Sequence, residues 1–262
     1  MPKQIVLKNK PLVEAIFELR WAFDNSHEAG SHSSTDPHYK ILVGRVYDRL
    51  SQQYRFHEPL PSASVPDEIL GQVVQHRFRV ARDDWPLIQM GPGIITLNDT
   101  SKYSWKDFRS RISSLVEVFF EVHPERDKVR FDSLFLRYID AMEFDYEKTD
   151  VFEFLRDKMN IGVDIYPRLF KGTGVRKPSL NLDLRFSFPC EKPKGAASLR
   201  FAKGKSNKTN TDALVWETMV RSKGEDASLY RDKVDLWVRK AHTVTDNWFF
   251  MMIEGDLLKR FK

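Results

Sequence analysis

The chain has 262 residues, of which 41% are hydrophobic and 30% charged, with 19 Phe and 6 Trp. That is too apolar and aromatic for a disordered chain and too charged for a membrane-embedded one, so a folded globular protein is expected. A formal net charge of +5 permits an anionic partner without requiring one. The single cysteine, Cys190, excludes an intrachain disulfide and a thiolate metal cage and fits a reducing cytoplasm.

The N-terminal stretch has charges on both sides of a short apolar run and no small-residue cleavage site, so no signal peptide is expected. No segment approaches the length of a bilayer-spanning helix. From Pro11 to Phe23 the residues alternate: Val13, Ala15, Phe17, Leu19, Trp21 and Phe23 share one face, and Glu14, Ile16, Glu18 and Arg20 the other. This is the pattern of a long half-buried strand. After a polar loop, Ile41, Leu42, Val46 and Leu50 recur at helical spacing, with Asp36 as the expected cap and Pro37 as the first helical residue. A Pro-rich connector follows, then two strands expected near His76–Arg82 and Pro86–Met90.

Gly91-Pro92-Gly93 invites comparison with a phosphate-binding loop. It has no third glycine, no Lys-Ser/Thr pair and no helix directly after it, so it reads as a corner between strands. Downstream, Ser104 and Asp107 have the spacing of a capping box, and Tyr103 and Phe108 flank the cap as a hydrophobic staple, which opens a helix from Trp105 to about Glu121.

The second half repeats this order. A strand around Arg137-Tyr138 echoes Arg20-Trp21, a short helix covers Asp150–Asn160, three strands follow, and a long helix begins near Asp232. The expected fold is α+β with a largely antiparallel sheet and long helices packed on one face. It divides into two pseudo-repeated units, residues 1–127 and 128–262, closely packed together, with the boundary near Pro124–Asp127. The stretches PLVEAIFELRW, GPGIITLND and LRYID resemble landmarks of a prokaryotic family described as sporadically distributed and uncharacterised. The resemblance implies a bacterial or archaeal cytoplasmic protein and supplies no activity or catalytic residues.

The run containing His27, Glu28, His32, Asp36 and His38 has the wrong spacing for a helical zinc site and reads as a surface loop. No serine, cysteine or histidine arrangement suggests a nucleophile, and no catalytic residue, metal or cofactor is expected. Glu14, Glu18, Asp132, Asp140, Asp183 and Glu217 read as partners for arginines on neighbouring strands. Opposite the apolar strand faces, Arg20, Arg77, Arg79, Arg137, Arg185, Arg200 and Arg221 gather on one surface. Arginine offers flat, bidentate recognition of phosphate or carboxylate. Basic loops lie beside it, with Lys203, Lys205 and Lys208 at a hairpin tip.

Two functions compete. One is a non-catalytic cytoplasmic binding or adaptor protein that holds nucleic acid or an acidic protein surface on these basic residues. The other is an enzyme that uses the arginines to orient a small phosphorylated or carboxylated substrate, with Glu18 or Glu14 as base. A closed pocket with a desolvated carboxylate would favour the second, and an open basic groove the first.

Overall fold

Alternating side chains build the sheet, and helical stripes cover its buried positions. In the computed structural model the described residues are 7–22, 36–66, 69, 71–100, 102–175, 181–206, 209–227 and 231–262. The first half holds β1 (Leu12–Ala22), α1 (Tyr39–Leu50), β2 (Phe56–Pro59), β3 (His76–Arg79), β4 (Leu87–Gly91), β5 (Ile94–Asp99) and α2 (Trp105–Val122). The second holds β6 (Arg130–Glu143), α3 (Val151–Met159), β7 (Asp183–Glu191), β8 (Lys194–Lys205), β9 (Asp212–Lys223), α4 (Val234–Met252) and α5 (Asp256–Phe261). The strands form one antiparallel sheet in the order β2-β3-β4-β5-β1-β6-β9-β8-β7.

The two longest apolar alternations meet at its centre, where Phe17 pairs with Leu136 and Leu19 with Leu134. Ala15, Phe17, Leu19 and Trp21 are buried in a core cluster with Leu42 and Val46 of α1, Phe108, Ile112 and Phe119 of α2, and Trp237 and Val238 of α4. Each such large apolar side chain contributes roughly 1.5–3 kcal/mol by leaving water. A second cluster joins Met142, Phe201, Leu214 and Trp216 to Leu155 and Met159 of α3 and to Ile253, Leu257 and Phe261 near the C-terminus.

Gly91-Pro92-Gly93 is the corner expected. Pro92 and Gly93 are the two loop residues between β4 and β5, and Gly93 has φ 65°, which fits a turn with proline first and glycine second. Gly91 is required for a different reason: a Cβ there would stand 1.9 Å from the Val73 carbonyl oxygen. The helix after β5 is capped as read, with Ser104 Oγ accepting from the Asp107 amide at 3.4 Å and the Tyr103 and Phe108 rings 5.3 Å apart.

Four expectations need correction. Asp36 does not cap α1; His38 holds that position, and the Asp36 carboxylate instead accepts from the Trp21 indole at 3.1 Å, the Gly93 amide at 3.2 Å and the His38 amide at 2.9 Å. It thereby ties β1, the β4–β5 corner and the start of α1 together. Val13, expected on the buried face, is 48% exposed, because the β1–β6 register shifts between Leu12 and Glu14. Ile41, expected in the helical stripe, is 53% exposed, and Tyr39 takes the buried place. Strand β3 ends at Arg79 rather than Arg82, since Asp83 has φ 58° in the turn that follows.

Candidate functional site

Antiparallel register carries the seven arginines to one surface. Glu18, Phe135, Arg221 and Ala196 form one row across β1, β6, β9 and β8, and Glu14, Ile139, Glu217, Arg200 and Arg185 form another that continues to β7. Arg137 lies between these rows, opposite Ile16 and Met219. Arg77 and Arg79 extend the surface through Gln89 and Leu87.

The arginines are heavily engaged with one another's acids. Arg20 meets Glu18 at 2.7 Å, while Arg77 and Arg79 share Glu58 at 3.4 and 3.2 Å. Glu217 receives Arg137 at 2.7 Å and Arg200 at 3.0 Å, and Asp183 receives Arg200 at 2.9 Å and Arg185 at 3.2 Å. The guanidinium groups of Arg200 and Arg185 hold the Asp183 carboxyl well below the usual range. Arg221 has a weaker partner, the Ser133 hydroxyl at 3.2 Å.

Two of the hairpin lysines, Lys203 and Lys205, are not part of this surface. Lys203 pairs with core residue Leu214 in register, so it projects to the opposite side from Arg200. There its ammonium meets Asp212 at 2.8 Å and lies 4.6 Å from the Tyr146 ring centre. Lys205 falls on the same side by alternation. Lys208, together with His27, Glu28, His32 and Arg176, lies outside the described residues.

A different concavity collects the groups with the most perturbed chemistry. It encloses about 670 Å³ between β6, β9, the start of α2, the middle of α4 and the segment Lys10–Leu12. Alternation on β6 sends Tyr138 and Asp140 to the buried side, the side opposite Arg137. Thr218 is the register partner of Tyr138 on β9. The capping turn of α2 brings the Tyr103 hydroxyl to 3.0 Å from the Tyr138 hydroxyl, and α4 brings His242 Nδ1 to 3.1 Å from the same oxygen. Trp105 stacks flat on His242, with centroids 3.6 Å apart and an interplanar angle of 18°. One helical turn beyond His242, Asp246 lines the same hollow, with Phe249 and Phe250 after it.

Burial dominates the electrostatics. Asp140 is 3% exposed, and its Oδ2 has no hydrogen-bond partner among the described residues; Thr218 Oγ1 is in the same condition at 1% exposure. Desolvation pushes Asp140 up to about 8 and raises Asp246. It also lowers His242 to about 4, so this imidazole is neutral at physiological pH. Burial raises the Tyr103 and Tyr138 hydroxyls as well. The Tyr138–His242 contact is therefore a neutral positioning hydrogen bond and not a phenolate activated for attack.

Asp140 was expected to face an arginine across the strands. Its place in the core-facing series Leu134, Leu136, Tyr138, Asp140, Met142 is the sequence signal for the site, a carboxylate where the alternation calls for an apolar residue. His242 and Thr218 carry no comparable mark. A smaller hollow of about 440 Å³ beside Tyr54 differs, because its charged group is satisfied: Arg111 meets Asp107 at 2.7 Å and the Tyr54 hydroxyl at 3.4 Å. Among the described residues no helix is long and apolar enough to cross a membrane, and no group of three or more potential metal ligands occurs. No family model matches the chain, and no curated protein matches it.

Proposed function

We propose that the protein binds a small organic molecule in the hollow between β6, β9 and α4, with Asp140 and Thr218 as anchoring groups. The observation that carries this reading is the Asp140 carboxyl, buried on the wall of a cavity with its Oδ2 lacking a partner among the described residues. Leaving such a group unsatisfied costs several kcal/mol on the order-of-magnitude scale for buried polar atoms, so folds keep them where something else completes the bonding. Aromatic and apolar walls with a few convergent polar groups are the usual form of small-molecule sites. Binding, not catalysis, is the activity assigned. The test is an NMR titration of the full chain with indole and 2-phenylethanol. Saturable shifts at Trp105 and His242 are expected, and shifts absent or confined to other surfaces would contradict the reading.

A second reading keeps an anionic partner, nucleic acid or an acidic protein, on the arginine surface. It is favoured by Arg221, whose partner is a hydroxyl, and by Arg137 Nε, which is buried without a hydrogen bond among the described residues. Fluorescence anisotropy with labelled DNA and RNA at low and physiological salt tests it. Salt-sensitive binding that weakens in Arg221→Ala supports it, and no binding at low salt removes the nucleic-acid form.

The chain's two halves are further proposed to be related units with the long helices on one face, and the resemblance of its three landmark stretches to a prokaryotic family is likewise kept as a proposal. Support comes from β1 and β6 lying side by side, each followed by a helix and then by a meander whose last strand, β5 or β9, returns to flank it.

A further inference from the structure

We infer that the ligand of this hollow is a protonated amine on an apolar body of aromatic size, its ammonium held by Asp140 with Asp246 as a second carboxyl on the wall. This rests on the hollow being the ligand site. Beside Asp140 in register lie Leu12 and Trp216, and the polar groups that line the hollow with it set its charge. From β6 comes Tyr138, from β9 Thr218, from α4 His242 and Asp246, from the start of α2 Tyr103 and Lys106, and from the N-terminal segment Lys10.

Only the two lysines are cations, and both are exposed. Lys10 Nζ donates to the Tyr103 carbonyl at 2.7 Å and not to either carboxyl. Among the described residues no ion pair reaches Asp140 or Asp246. An anionic ligand would meet two carboxyls. A neutral one suits only the protonated carboxyl, and above about pH 8, where that proton is released, it would leave Asp140 without a counter-charge. An ammonium supplies the charge, donates to Asp140 Oδ2 and Thr218 Oγ1, and rests against aromatic faces that attract cations. The volume, about 670 Å³, leaves room for a ring and a short chain behind the head.

The pH dependence has a defined sign. Burial holds a proton on Asp140 up to about pH 8 in the unliganded protein. An ammonium favours the ionised carboxylate, so below about 8 binding must expel that proton. Affinity should therefore climb with pH toward about 8, by at most about tenfold per unit, and fall again where the amine itself deprotonates near pH 10.

The experiment is isothermal titration calorimetry of the full chain with 2-phenylethylamine and its neutral isostere 2-phenylethanol, at about pH 6.5 and about pH 8.5. The amine is expected to bind about tenfold or more tightly than the alcohol at the higher pH, with a smaller gap at the lower. Asp140→Asn should abolish both the gap and its pH dependence. If Asp140→Asn does not fold, Asp246→Asn carries the same comparison with a smaller loss. Alcohol binding as tight as amine binding, or a gap that survives in the variant, overturns the amine assignment and leaves the hollow a ligand site. Failure of both probes overturns the two readings together.

Discussion

At the scale of single residues, the fold disfavours the charged forms of Asp140 and His242, with opposite consequences for stability. Asp140 titrates at about 8 in the folded chain against an ordinary value of 3.8, so the folded state holds a proton that the unfolded state has released. Stability from this group is present at low pH and is lost as pH rises between those values. His242 titrates at about 4 against 6.5, so its contribution is present above 6.5 and is lost as pH falls toward about 4. Asp140→Asn should therefore raise the melting temperature near pH 8 by a few degrees or more and leave it nearly unchanged near pH 4, while His242→Gln should flatten the acid limb. Melting curves for the variants that run parallel to the wild type across the whole range would show that neither group is desolvated. The sequence marks Asp140 by breaking an apolar alternation, but it does not mark His242. The histidine's environment is assembled from Trp105 and Tyr138, residues distant in the chain, and no local pattern encodes that meeting.

At the scale of elements, the β4–β5 corner shows how little sequence a turn needs. Gly93 sits at φ 65°, where a β-branched residue is strained, so Gly93→Val should lower stability by about 1–3 kcal/mol in urea denaturation. Amine or alcohol binding by the remaining folded protein should be unaltered, because the corner is not among the walls of the hollow. Loss of ligand binding in a fully stable Gly93→Val protein would contradict this. Long periodic elements were legible for the same physical reason that they are stable: one face must leave water, and the period records which. Strand β2 was not, since Phe56–Pro59 is too short to display a period. The start of α1 is not encoded locally: Asp36 has the character of a cap, but tertiary structure engages its carboxylate with Trp21 and Gly93.

At the scale of the whole molecule, the apolar and polar faces of the strands follow from alternation, but strand order does not. β1 and β6 pair across a separation that no local signal spans, and that pairing makes the two halves one sheet. The polar face is then held by shared acids, of which Glu217 is the most central: it is 12% exposed at its side chain and serves both Arg137 and Arg200. Glu217→Ala should cost on the order of 1–3 kcal/mol, since it leaves two partly buried guanidinium groups short of a partner. A cost near zero in urea denaturation would show these pairs to be as weak as ordinary exposed ones. The connection between the halves carries no strand pairing, and the Asn9 amide donates to the Phe261 carbonyl at 3.0 Å. A circular permutant opened between Glu125 and Arg126, with its original ends joined by a flexible linker, should therefore fold to a cooperative state with native-like circular dichroism. Failure to fold would show that the 124–127 connection is itself structural.

The most direct test of the account is the titration of Asp140 itself, followed by NMR in the full chain labelled at the aspartate carboxyl carbons and assigned with Asp140→Asn. The account predicts a midpoint at about 8 in the unliganded protein, moving to lower pH when 2-phenylethylamine is added and staying in place with 2-phenylethanol. A midpoint near 4 without ligand, or one that the amine leaves unmoved, would contradict it.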